Sequence, residues 1–175
     1  GIGTTIQKHK KMLYVISRIL EGGFICLGIY KALQHDRASR LHTAKETHGE
    51  EGGAWAKAQN SAHTYTERKR RMDTLRTFCV FGLIPLTLLS GLRHIFLHGT
   101  IIQDASPFFE AEAGGANLGI AIALCMCAVY HSSIHTYSCL LTAYLVYMII
   151  GMISSFVYVS VWKGLYFVPF IGVLL

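Results

Sequence analysis

From Ala113 to Val161 the chain runs for 49 residues without an Asp, Glu, Lys or Arg. A spanning helix needs about 20 apolar residues, so this stretch is long enough for two crossings and a tight turn. A water-soluble domain of this size could not solvate it. The rest of the 175 residues agrees: apolar types make up 52% and charged types 15%, against roughly 25% charged in average soluble domains. Of 16 Lys and Arg, 13 lie before Met72, and from Ala113 onward the only formal charge is Lys163. These features exclude a soluble globular enzyme, a disordered tail and a collagen-like chain. They predict an all-α, polytopic membrane protein in one domain, with about four transmembrane helices and an amphipathic juxtamembrane helix.

The net charge of +6 is no sign of nucleic acid, because the basic residues flank the apolar segments. There Lys and Arg set topology and meet anionic lipid. Cys26, Cys79, Cys125 and Cys127 lie within apolar runs and Cys139 at the edge of one; none has the paired, loop-borne spacing of a disulfide framework. Cys125 and Cys127 are two apart, point in nearly opposite directions on a helix and cannot share a metal. All five read as small buried hydrophobes. The basic segment 1–11 lacks the apolar core of a secretory signal. Its start at Gly1 is what processing of an organellar presequence would leave, and what a chain given in part would leave equally.

The first helix is expected over residues 12–33, ending before the turn-like Gln34-His35-Asp36. Its uncharged run, Gly22 to Tyr30, is too short to span alone, so either the helix crosses with an Arg18–Glu21 pair turned toward protein, which is the expectation, or it lies partly in the interface. These two are three apart and can pair with one another, with Arg93 and His94 as alternative partners for Glu21. Residues 35–73 form a long polar excursion. Its second half, Ala54 to Arg71, has no Pro or Gly and places Trp55, Ala58, Ala62 and Tyr65 at helical spacing. It reads as the amphipathic helix running toward the membrane, after a break at Gly49, Gly52 and Gly53. Arg68, Lys69, Arg70 and Arg71 then fall at headgroup level, as an orientation signal or an anionic-lipid site.

The second spanning helix is expected over 74–97, with Pro85 kinking its middle. Residues 98–114 carry Asp104, Glu110 and Glu112 but no Lys or Arg. The positive-inside rule puts this acidic loop on the outer side and Arg68 to Arg71 on the inner side. The third and fourth helices are expected over 115–131 and 139–162, with the polar cluster His131 to Ser138 as their turn. The apolar tail 165–175 is too short to cross, so it should lie in the interface or dock on a partner.

Gly115, Gly119, Ala123 and Cys127 form a stripe of small residues, and Gly151 and Ser155 repeat the pattern. Small residues let membrane helices approach closely, so these faces should pack against helices of this chain or another. The aromatics Tyr144, Tyr147, Phe156, Tyr158 and Trp162 on the fourth helix should in part meet other subunits or fixed lipid. The pairs His94/His98 and His131/His135 have the spacing that places two imidazoles on one helix face. The expected topology puts the pairs a hydrocarbon thickness apart, roughly 30 Å, which excludes bis-histidine ligation between them.

Ser90-Gly91-Leu92-Arg93-His94 resembles a Gly-Ile-Arg-His stretch in the cytochrome-b membrane anchor of succinate dehydrogenase. In that family an earlier helix carries a His-Arg pair near the quinone, and Ser17-Arg18 would take its place here. The family's haem histidine corresponds to Thr87, and the excursion 35–73 has no counterpart. The resemblance covers about ten residues and implies a quinone-side anchor without its own haem ligand. Arg18, Arg93 and His94 would face a quinone or lipid headgroup. The small four-helix glutathione-transferase-like membrane enzymes match in size and helix number, but their Arg, Asn and Glu signature does not line up with Gln59-Asn60 and Glu67.

The sequence shows no nucleophile–base pair and no complete metal set. The expectation is an accessory, non-catalytic subunit of a multi-subunit energy-converting complex, such as a respiratory complex or ATP synthase, in the mitochondrial inner membrane. Expected partners are other membrane subunits and anionic lipid, including a structural, cardiolipin-like phospholipid, and not nucleic acid. No cofactor is required. A quinone or haem b anchor and a small membrane enzyme are the alternatives.

Overall fold

The computed structural model describes residues 2–47, 56–97 and 107–158, with positions 165, 168, 171 and 172 of the tail. The order is α1 (Ile2–Thr47), α2 (Ala56–Phe78), a π-helical turn (Cys79–Leu83), α3 (Ile84–Phe96), α4 (Pro107–Val129) and α5 (Ile134–Tyr158). Among the described residues four stretches are long and apolar enough to cross a membrane: Thr5–Leu41, Thr64–Phe96, Glu110–Val129 and Ile134–Val157. The protein is an all-α, polytopic membrane protein. A bilayer core offers no water to backbone polar groups, so each apolar segment must satisfy them internally as a helix.

The first helix does not end at Gln34-His35-Asp36 as the sequence suggested. α1 continues to Thr47, because the polar triplet contains neither Gly nor Pro and makes helical side-chain pairs. Gln34 Nε2 donates to the Tyr30 hydroxyl at 2.6 Å and Arg40 Nε to Asp36 Oδ2 at 2.8 Å. The change from apolar to polar marks where the helix leaves the bilayer, not where it stops. The excursion 35–73 is therefore largely two helical extensions, held side by side where Arg70 on α2 pairs with Asp36 on α1. The juxtamembrane helix is present but runs without a break into the membrane segment. Tyr65, expected on its apolar face, is exposed; Gly49, Gly52, Gly53 and Trp55 lie outside the described residues.

The irregularity expected at Pro85 takes the form of the π turn immediately before it. Pro85 has no N–H to donate to the carbonyl four residues earlier. The preceding backbone shifts register, and the Ile84 N–H reaches back five residues to the Cys79 carbonyl. α2, the π turn and α3 together form one rod of about 60 Å at 1.5 Å per residue. It puts the basic cluster and the end of α3 at opposite ends of the molecule. These are called the basic end and the acidic end below.

Two glycine contacts set the helix crossings. Gly28 of α1 meets Gly82 of the π turn so closely that a Cβ on Gly28 would lie 2.6 Å from the Gly82 Cα. Gly91 of α3 meets α4 in the same way: a Cβ there would lie 2.9 Å from the Gly114 carbonyl oxygen. Close backbone approach of this kind substitutes in lipid for the hydrophobic effect. The core it encloses comprises Cys79, Leu83 and Leu86, with Leu124 and Cys127 from α4 and Tyr137, Tyr144 and Met148 from α5.

The packed face of α4 carries Glu110, Gly114, Asn117, Ala121 and Leu124, all buried. The Gly115/Gly119 stripe is not that face, and a Cβ at either would meet nothing within 4 Å. Gly114 and Gly115 are adjacent and each begins a small-residue row; the row that starts at Gly114 makes the contact with α3. Of the Gly115 row, Cys127 is buried, while Cys125 and Cys139 are exposed rather than buried, as is Cys26 on α1.

α4 begins at Pro107, well before the expected 115, so Glu110 and Glu112 of the acidic segment are helical and Glu110 is buried. The turn between α4 and α5 occupies only Tyr130 to Ser133. His131 takes a left-handed φ of 50° there, and the Thr136 N–H donates to Ser133 Oγ at 3.3 Å, capping α5. α5 thus starts at Ile134 rather than 139. Tyr144 is buried and stacks on Tyr147 at 6.3 Å between centroids; both belong to the internal packing of this chain. Phe156 is exposed, and Trp162 and the Tyr158 side chain lie outside the described residues. In the tail, Ile171 packs against this chain's own core while Leu165 and Val168 are exposed.

Candidate functional site

The densest polar cluster inside the helices lies between α1 and α3, toward the acidic end. On α1, Tyr14, Ser17, Arg18 and Glu21 recur at intervals of three and four, which places them on one face. Ser17 and Glu21 are buried, Glu21 with a side-chain exposure of 1%. On α3, Arg93 is three residues from the last helical position and its side chain is 2% exposed.

Glu21 is the hub. Its Oε2 accepts from Arg18 Nη1 at 3.0 Å, and its Oε1 accepts from Arg93 Nη1. Both partners considered in the sequence, Arg18 and Arg93, are used at once, one on each carboxylate oxygen. Tyr14 closes the cluster from α1. Its hydroxyl accepts from Arg18 Nε at 3.1 Å, and the guanidinium carbons of Arg18 and Arg93 lie 5.1 and 5.5 Å from its ring centroid. A ring so placed stabilises both cations through its quadrupole. Ser90 Oγ accepts from Arg93 Nη2 at 3.2 Å.

A charge left unpaired at the centre of a membrane helix costs about 2.5–3.5 kcal/mol on insertion scales. Glu21 pairs with both arginines at once and so lowers that cost. One donor inside the cluster is left over, since Arg93 Nε is buried with no acceptor; His94 Nδ1, next in sequence, is likewise buried without a partner. Glu110 is one helical turn before Gly114 in α4, in the first turn of that helix, where the N-terminal partial charge favours a carboxylate.

Of the residues singled out from sequence, the structure brings Arg18, Arg93 and His94 to this one region. It does not bring the histidine pairs together. His131 and His135 are exposed at the basic end of α4 and α5, and His131 lies in the turn, so the two do not share a helix face. His98 lies outside the described residues. The lipid-site candidates divide. Arg68, Lys69 and Arg71 are exposed, but the guanidinium of Arg70 is taken by Asp36 on α1 and by Glu67 on its own helix. Thr87, at the position of the haem histidine in the resembled family, is buried, and its hydroxyl donates to the Leu83 carbonyl of its own helix at 2.8 Å.

Tyr14, Ser90 and Glu110 were not singled out as site residues. Tyr14 carried a usable signal, its i, i+4 spacing to Arg18; Ser90 and Glu110 become visible only once α3 is placed. No protein-family model, curated protein or solved structure matches the chain.

Proposed function

We propose that this chain is a non-catalytic membrane subunit of a hetero-oligomeric, energy-converting complex in an organellar inner membrane. The observation that carries the reading is how little of the apolar helix surface the chain covers itself. Only 17% of the most apolar window of α1 and 11% of that of α5 is buried. α1 packs on α2, the π turn and α3, then α3 on α4, and α4 on α5, so the helices form an open row. At Gly115 and Gly119, which suit close helix approach, a Cβ would meet nothing of the described chain within 4 Å. A row of this kind is suited to lie between neighbouring subunits and bound lipid.

A second reading has its own observation. The quinone-side anchor of a succinate-dehydrogenase-like complex would use Ser17-Arg18 and Arg93-His94 together. One residue of each dipeptide, Arg18 and Arg93 on separate helices, converges on Tyr14 and Glu21. Within that reading Thr87 supplies no haem ligand. The two readings share the main claim, a membrane subunit that works inside an assembly. The test is purification of the chain from its native membrane in mild detergent without crosslinker, followed by identification of co-purifying chains. Stoichiometric membrane subunits are expected, and recovery as a stable monomer would refute the proposal. A b-type absorbance in the purified chain would favour a haem anchor.

A further inference from the structure

We infer that the basic end is an electrostatic docking surface for the anionic phospholipid headgroups of the leaflet from which it emerges, met by Arg37 of α1 and by Arg68, Lys69 and Arg71 of α2. Charge comes first. Residues 36–40 and 67–71 carry six cations against two carboxylates, a surplus of four. Both carboxylates are engaged within the chain, Asp36 by Arg40 and Arg70 and Glu67 by Arg70 and Arg71. The intervening residues 41–63 add two lysines and three glutamates, which lowers the surplus only to three. In the segments that meet the opposite end, residues 1–11 and 98–114, three lysines are matched in number by three carboxylates. The asymmetry is carried by the basic end.

Height comes second. The hydrocarbon core takes about 20 helical residues, and on this rod it must be centred on the uncharged stretch Thr77 to Leu92. Arg71 then lies roughly 6 Å and Arg68 roughly 10 Å outside that core at 1.5 Å per residue. Arg37 reaches the same level from α1, because its neighbour Asp36 is paired with Arg70. Attraction to an anionic leaflet acts over about one Debye length, roughly 8 Å at physiological salt, and these long side chains reach into it. Shape comes third. Arg37, Arg68, Lys69 and Arg71 are all exposed, and the Arg71 side chain keeps 71% exposure beside Glu67. At 100° per residue, Arg71, Arg68 and Lys69 spread over an arc of roughly 160° on the side of α2 opposite Arg70. A flat protein face meets only part of so wide an arc, whereas headgroups surround an emerging helix. The inference concerns the chain alone and is independent of which assembly it belongs to.

Electron spin resonance of the full chain, reconstituted in phosphatidylcholine vesicles with a trace of spin-labelled phosphatidylglycerol or spin-labelled phosphatidylcholine, tests it. The protein-restricted fraction should favour phosphatidylglycerol about fivefold, the worth of one basic residue at an anionic surface. At about 1 M salt, where the Debye length falls to about 3 Å, the preference should approach unity. The combined variant Arg37→Gln, Arg68→Gln, Lys69→Gln should lose most of the preference at low salt. Arg37→Lys with Arg68→Lys should keep it, because charge carries the contact. Circular dichroism establishes that each variant is folded, and if the glutamine variant is not, the lysine variant and the salt dependence still decide. Equal restriction of the two lipids, a preference that survives high salt, or one unchanged in the folded glutamine variant would overturn the inference. If that variant keeps its lipid preference but loses co-purifying subunits, the surface docks protein and the inference fails. Recovery of the parent as a monomer would count against the proposed assembly and leave this test untouched.

Discussion

Glu21 on α1 and Arg93 on α3, 72 residues apart in sequence, form an ion pair with side-chain exposures of 1% and 2%. The contact ties α1 directly to α3. The pair therefore fixes the rotation of α1 about its own axis: turning α1 by one residue, about 100°, would put Glu21 into lipid. Packing alone would specify this less sharply, since most of the apolar surface of α1 is uncovered.

Removing the carboxylate should cost more than removing its partly exposed partner, Arg18. Glu21→Ala leaves two arginines without their shared acceptor, and breaking a buried pair costs roughly 3–5 kcal/mol. Glu21→Gln should be milder, because an amide oxygen still accepts a hydrogen bond. Arg18→Leu should cost least, about 1 kcal/mol, because Arg18 is partly exposed and the Glu21–Arg93 pair survives. Thermal unfolding in detergent, followed by circular dichroism, should rank the three in that order.

Glycine substitutions should separate the packed rows from the open one. Gly28→Ala and Gly91→Ala each force a Cβ against backbone atoms of a neighbouring helix, with a cost of about 1–3 kcal/mol. Gly115→Ala and Gly119→Ala meet nothing in this chain and should leave the isolated protein as stable as the parent. Gly115→Leu should likewise be tolerated by the isolated chain but reduce recovery of co-purifying subunits. Melting temperature and pull-down yield measured on the same variants check both parts.

The helical extensions at the basic end should be coupled through Arg70. Arg70→Ala removes the pairing with Asp36 and Glu67 while leaving the apolar helices intact. The expected result is faster proteolysis of the segment joining α1 and α2, with a change in global stability below about 1 kcal/mol. Limited proteolysis with a glutamate-specific protease, for which the joining segment offers Glu50 and Glu51, compared with Arg71→Ala at the exposed neighbouring position, measures it.

The two ends of the α2–α3 rod should lie on opposite sides of the membrane. Ala38→Cys on the extension of α1 and Glu112→Cys on the first turns of α4 are exposed positions at those ends. An impermeant thiol reagent applied to sealed vesicles should label one and not the other, after subtraction of the parent's own exposed cysteines. Labelling of both from one side would overturn the two-ended arrangement.

What could be read in the sequence was governed by the bilayer. The absence of charge from Ala113 to Val161 forces two crossings whatever the packing, and the class and number of helices follow. Helix ends were less legible. Gln34-His35-Asp36 is polar enough to resemble a turn, but polarity reports contact with water and not the end of hydrogen bonding. The Gly115 row illustrates the same limit: composition shows that α4 carries small residues, while the choice between adjacent rows depends on where Gly91 of α3 comes to rest. The Arg18–Glu21 pair was legible because its spacing is local. The Arg93 contact is long-range, and it entered the sequence reading as an alternative to that pair rather than as an addition.

The most direct test of the architecture is charge exchange across the central pair. Glu21→Arg and Arg93→Glu should each destabilise the folded chain strongly, the first by placing cations against Arg18 and Arg93, the second by burying two carboxylates together. Combined in one chain, they restore an opposite-charge pair with the same net charge, and the double variant should recover a melting temperature well above either single variant. A double variant no more stable than the worse single variant would contradict the placement of α1 against α3, as would single variants that melt like the parent.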